Sequence, residues 1–160
     1  MEDTDFMRQA LRLAEEAASD GEVPVGCVIV RKGEIVGRGR NRRETDKTAL
    51  GHAEIEAIGD ACRNLGGWRL WECTMYVTLE PCPMCAGAII NARIPRVVVG
   101  AKDSKCGACG SVCDLFSMEF NHHPQTEFGV LEQESQDLLT EFFRDLREKI
   151  KDRPKWRKPE

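Results

Sequence analysis

Two short stretches concentrate the residues able to do chemistry: His52-Ala53-Glu54 and Pro81-Cys82-Pro83-Met84-Cys85. One imidazole and two thiolates form a ligand set that zinc accepts readily, and three protein ligands leave its fourth tetrahedral position to water. Two thiolates neutralise the ion, so it is a weaker Lewis acid than in a three-histidine site and needs a proton acceptor beside the water. Glu54, two residues after the histidine, is the candidate for that acceptor and later donor. Taken singly, a Cys-x-x-Cys or a His-x-Glu often occurs without metal; the two together, each opening a helix, point to a zinc centre. A closed structural site would require a fourth protein ligand. Cys106-Gly107-Ala108-Cys109, with Cys113 four residues on, offers candidates for that role or for a second metal.

The elements that must position these groups are legible from periodicity. Residues 5–19 carry Phe6, Met7, Ala10, Leu11, Leu13, Ala14, Ala17 and Ala18 at helical spacing, ended by Asp20-Gly21. Val25 to Val30 and Ile35-Val36, separated by Lys32-Gly33, read as a strand, a tight turn and a strand. Asn41 to Gly51 is polar and irregular. His52 to Leu65 is helical and stops at Gly66-Gly67; Cys73 to Leu79 is a strand; Pro83 to Ala92 is a buried helix; Val97-Val98-Val99 is a covered strand. A glycine- and cysteine-rich loop follows, and residues 135–150 form a last amphipathic helix with Leu138, Leu139, Phe142, Phe143, Leu146 and Ile150 as its apolar stripe. Both ligand clusters fall at helix starts, where free N–H groups and partial positive charge favour a thiolate. Pro83 suits the first helical position because its missing N–H costs nothing there.

With 160 residues, 41% hydrophobic and 31% charged, the chain is expected to fold as one α/β domain over residues 1–150, followed by a basic tail over 151–160. No apolar run is long enough for a membrane span, and the acidic start lacks the layout of a secretory signal, so a cytoplasmic protein without membrane partners is expected. In that setting the eight cysteines read as ligands or reduced thiols before disulfides, with Cys27, Cys62 and Cys73 as buried thiols on apolar faces. A net charge of −4 excludes a surface uniformly coated in positive charge, but a local patch can still bind phosphate. Lys102, Lys105, Arg144, Arg147 and the tail are the candidates for one, with Trp156 a candidate for stacking on a base; a charged end is equally a solvated one.

His52-Ala53-Glu54 with Thr78-Leu79-Glu80-Pro81-Cys82-Pro83-Met84-Cys85-Ala86-Gly87-Ala88 is similar to the signature of the zinc-dependent cytidine and deoxycytidylate deaminase superfamily. The fuller pattern resembles the bacterial tRNA-specific adenosine deaminases, through Glu22-Val23-Pro24-Val25-Gly26, Asn41-Arg42, Ala92-Arg93-Ile94, Gly100-Ala101-Lys102-Asp103, Gly110-Ser111, Asn121-His122 and Phe142-Phe143-Arg144. The resemblance implies a three-layer α/β/α sandwich with a mixed central sheet, a homodimer, and one zinc ion per subunit on His52, Cys82 and Cys85. It implies hydrolysis of adenosine to inosine at the wobble position of a tRNA anticodon stem-loop, with Glu54 shuttling protons. Asn41 and the Ala53 N–H would contact the flipped base; Asp103, Asn121, His122 and Phe143 would hold neighbouring nucleotides.

Alternatives remain open on the residues alone. Phe143 fits helix packing as well as nucleotide contact, and His122 and His123 fit a solvated loop. A deaminase of a free nucleobase or nucleoside, of the guanine or cytosine type, shares the zinc motifs, and a non-catalytic zinc-stabilised module needs only a closed site. Thr48-Ala49-Leu50-Gly51, Asn91-Ala92, Cys106 and Cys109 depart from the family's usual residues, and the first segment is expected to border the base pocket.

Overall fold

The computed structural model describes residues 1–152 and 159–160; the basic positions Arg153, Lys155, Arg157 and Lys158, and with them Trp156, lie outside the described residues. The chain runs α1 (Asp3–Ser19), β1 (Gly26–Arg31), β2 (Glu34–Arg40), α2 (Ala53–Leu65), β3 (Cys73–Leu79), α3 (Pro83–Ala92), β4 (Arg96–Ala101), β5 (Gln125–Phe128) and α4 (Glu132–Ile150), with a 3-10 turn at Leu115–Ser117. The sheet order is β2-β1-β3-β4-β5; β1 is antiparallel to β2 and β3, while β3, β4 and β5 run parallel. This is the mixed sheet expected.

Strand alternation assigns the two faces. Cys27, Ile29, Met75, Val77, Val97 and Val99 point into one core with Ala57 and Ala61 of α2 and Ile89 of α3. Their neighbours Val28, Val30, Tyr76 and Val98 point the other way, onto Phe6, Met7 and Ala10 of α1. Successive side chains of a strand face opposite sides, so these near-continuous apolar runs are what a sheet covered on both faces requires. The Arg96 guanidinium donates to Asp3 and to Glu127, tying α1, β4 and β5 together. Its hydrogen bonds hold the Asp3 carboxyl below the ordinary carboxylate value.

Helix α2, which starts at the ligand His52, lies unusually close to β2. A Cβ on Gly39 would sit 2.1 Å from the Ala53 carbonyl oxygen, and one on Gly37 would sit 2.4 Å from that of Ala57. Both clashes are with backbone, so relief needs the helix to move. Gly39→Ala is therefore expected to destabilise the fold by about 3 kcal/mol, the upper end for overpacking. Urea unfolding measures it; a midpoint unchanged from the parent would mean the helix yields freely.

The structure departs from expectation in four places. Strand β5 and the 3-10 turn fall in a stretch with no regular element foreseen. Helix α4 begins at Glu132, and of its residues only Ser135 is buried; the stripe Phe143, Leu146 and Ile150 stays 38–41% exposed. The close contact with the sheet is near the start of α4, where Ser135 packs against Gly100, and residues 143–150 lie more than about two turns beyond it. Cys27 and Cys73 are buried, whereas Cys62 is half-buried.

Candidate active site

His52 is the N-cap of α2 and Cys82 the N-cap of α3, with Pro83 at the first helical turn. Both helices start at the same end of the sheet, which brings distant segments of the chain together. His52 Nδ1 lies 3.6 Å from Cys82 Sγ and 3.5 Å from Cys85 Sγ. Among the described residues, these three form the one group of candidate ligands whose donor atoms all lie within 4.8 Å of one another. The Cys82 thiol is pushed down to about 5 by a hydrogen bond from Cys85, by the N–H groups of Cys85 and Met84 and by the nearby His52. Donating that bond, together with burial, holds Cys85 far above the usual thiol range. One imidazole and two thiols, one of them already favoured as thiolate, are a donor set that fits zinc.

Glu54, in the first turn of α2, is 4% exposed. Burial pushes its carboxyl up to about 7. A carboxyl poised near neutrality can both take and return a proton. It opens onto a cavity of about 190 Å3 that His52, Ala53, Cys82, Asn41 and Asp103 also line. That is several times the roughly 30 Å3 a liquid water occupies, which leaves room for a ligand larger than water.

The structure thus brings together six sequence-predicted residues, Asn41, His52, Ala53, Glu54, Cys82 and Asp103, with Cys85 buried among the ligands. The Asn41 amide is held at both ends: Nδ2 donates to the Val23 carbonyl and Oδ1 accepts from the Arg43 N–H. One donor and one acceptor of that amide stay free for a base. Asn121, His122 and Phe143 do not line the cavity. Asn121 is exposed, and His122 Nε2 sits 2.7 Å from the Ile94 carbonyl oxygen. His123 is exposed, with Nδ1 3.0 Å from that of Phe116, so each ring is anchored at one nitrogen. Phe143 is 40% exposed and touches Phe142 edge-on at 5.4 Å, so core packing does not account for it.

Further corrections concern the departures noted in the sequence. Thr48, Leu50 and Gly51 face a shallow cleft on the outer side of α2 and do not border the cavity. The reason is a tight turn: the Thr48 hydroxyl accepts from the Leu50 N–H, and the Gly51 N–H donates to the Thr48 carbonyl. Cys106 opens onto the cavity from the glycine loop, but its sulfur is not in the ligand group; Cys109 is buried and Cys113 exposed.

Sequence reasoning missed the walls. Val23 and Val25, one either side of Pro24, and Leu79 supply apolar lining, while Arg43 supplies a cation. The alternation of valines around Pro24 was the available signal. Also missed were two buried glutamates, Glu22 and Glu80. Burial works against their charge, yet donors from neighbouring loops, N–H groups for Glu22 and the Ser111 hydroxyl with N–H groups for Glu80, hold both carboxyls below the ordinary glutamate value.

The family of MafB19-like deaminases matches residues 1–147. The tRNA-specific adenosine deaminase of Bacillus subtilis (strain 168) is 48% identical over 147 residues, covering 91% of either chain. That of Streptococcus pyogenes serotype M18 is 46% identical over 151 residues, 94% of this chain and 95% of its own. A solved structure from a study of A-to-I editing by tRNA:A34 deaminases at the wobble position matches with a TM-score of 0.82 and 44% identity, over 85% of this chain and 99% of its own. At this identity and over nearly its whole length, the chain belongs to the deaminases, and among them to the tRNA-specific adenosine deaminase family.

Proposed function

We propose that this protein hydrolyses adenosine to inosine at the wobble position of a tRNA anticodon, consuming water and releasing ammonia. The observation that carries the reading is Glu54, a buried carboxylate that opens onto the same cavity as a three-residue ligand group. His52, Cys82 and Cys85 would hold one zinc ion, which when bound supplies the Lewis acidity that lowers the pKa of water in the site. Glu54 takes one proton from water and delivers it to the purine ring, then carries the second, from the oxygen added to the ring carbon, to the amine, which leaves as ammonia. Asn41 and the Ala53 N–H, one of the free donors at the start of α2, hold the base edge, and Val23, Val25 and Leu79 cover its faces. Asp103 meets the adjoining ribose, and the exposed Phe143, with Asn121 and His122, contacts flanking loop nucleotides unstacked to reach the cavity. A cytoplasmic homodimer, as the resemblance implies, is part of this reading; among the described residues no helix is long and apolar enough to cross a membrane.

The test incubates the zinc-loaded protein with an anticodon stem-loop carrying adenosine at the wobble position, and separately with free adenosine, guanine and cytosine. Inosine is expected in the stem-loop alone, with a rate at low substrate that falls as salt rises, because phosphate contacts release counterions. Turnover of the free bases without inosine in the stem-loop would turn the assignment to a small-molecule deaminase.

A further inference from the structure

Two loops that contribute to the cavity are held from inside the protein by a single carboxylate each. Glu22, 2% exposed in the turn after α1, accepts the Glu44 N–H at 3.1 Å on one oxygen and the Thr45 N–H at 2.7 Å on the other. Those amides belong to the loop that carries Asn41 and Arg43 into the cavity. Glu80, also 2% exposed, accepts the N–H groups of Asp103, Cys109 and Ser111, each at 3.1 Å, and the Ser111 hydroxyl. Those donors belong to the loop that carries Asp103 and Cys106 into the same cavity. Gly107 seals this second arrangement, since a Cβ there would lie 2.4 Å from the Glu80 carboxyl.

Every partner in both arrangements is a donor. Only an ionised carboxylate, an acceptor on both oxygens, satisfies such a set; an amide would set its own N–H2 against a backbone N–H. Neither loop has a helix or strand between its ends, so these contacts join a few backbone bonds, Ala108 N–H to Pro81 and Arg42 N–H to Gly51 among them, in fixing its position. We propose that Glu22 and Glu80 are positioning residues, whose carboxylates hold the loops 41–51 and 103–111 where they grip the nucleotide substrate. For its substrate this rests on the wobble-deaminase reading. The chemistry remains with Glu54 and the ligand group, so loosening either loop acts on binding more than on the chemical step.

The experiment uses the zinc-loaded full chain, with initial rates on the stem-loop and amide hydrogen exchange on the free protein. Glu22→Gln and Glu80→Gln are expected to raise KM about tenfold while kcat stays within about threefold, since misplaced substrate contacts weaken binding where the reacting groups are intact. Ser111→Ala, an exposed position that removes one donor to Glu80, is expected to raise KM about threefold. Exchange should quicken in residues 41–51 for the Glu22 variant and in residues 103–111 for the Glu80 and Ser111 variants, each leaving the other loop unchanged. Unaltered KM and exchange in the folded variants would overturn the proposal, as would a fall in kcat with KM unmoved. Should Glu80→Gln not fold, Ser111→Ala decides for that loop. A parent that makes no inosine from the stem-loop overturns the substrate reading instead, while the exchange pattern still decides on the two clamps.

Discussion

Replacing Glu54 by alanine is expected to lower kcat for deamination by at least about 10^3-fold, within the range general acid–base groups supply. It should leave one zinc per chain, because the carboxylate lies outside the group formed by His52, Cys82 and Cys85. Glu54→Gln separates proton transfer from shape: it keeps the size of the side chain and removes its basicity, so its activity should be as low as that of alanine. The stability consequence has a definite sign. Burial raises the Glu54 carboxyl to about 7, so ionising it costs the metal-free fold stability as pH rises from its ordinary value of 4.5 towards 7. Metal-free Glu54→Gln is therefore expected to melt at or above the parent's temperature at neutral pH, the common trade of stability for function. Metal analysis, single-turnover rates and thermal melts on the same preparations read all three. Turnover within a few-fold of the parent in either variant removes Glu54 from the chemistry and restores the case for a module that uses zinc only for structure.

Much of this site is legible before any coordinates because its key residues mark helix starts. Pro81-Cys82-Pro83 announces an N-cap followed by a first-turn proline, and His52-Ala53-Glu54 follows a polar loop and precedes a helical period. Local pattern therefore places ligand and acid on elements, and β2 and β3, both antiparallel to β1, place the helix starts that follow them at one end of the sheet. What stays hidden depends on long-range pairing. Strand β5 is four residues, Gln125-Thr126-Glu127-Phe128, with alternating exposure at the sheet edge, and its period is too short to stand above loop background. The apolar stripe of α4 reads as core, yet only Ser135 meets the sheet closely; periodicity reports that a face is apolar, not what covers it. Glu22 and Glu80 are the sharpest case. A glutamate beside a turn reads as surface, and its burial becomes intelligible only when the N–H groups of residues 22 to 31 positions along the chain converge on it.

Substituting alanine for Cys85 is expected to abolish both metal binding and activity, and the comparison with chelation makes the result diagnostic. Cys85 is fully buried, and its sulfur lies 3.5 Å from His52 Nδ1, so truncation removes a ligand and leaves a small void in the α3 core. The void alone is a modest loss, because the removed group is one sulfur. The metal contribution is larger: a ligand present at about 1,000 times its Kd stabilises the folded chain by about 4 kcal/mol through mass action. The parent should therefore lose several degrees of thermal midpoint on chelation, and Cys85→Ala should sit near that lower value with or without chelator. Cys82→Ala, at a half-buried helix N-cap, should behave alike with a smaller packing loss, which separates coordination from core volume. Zinc per chain measured alongside should drop from about one to near zero in both. A variant that still holds a full equivalent of zinc, or a parent whose melting ignores the chelator, would show that these sulfurs are not the ion's anchors, and the deaminase mechanism assigned to this cavity would lose its metal.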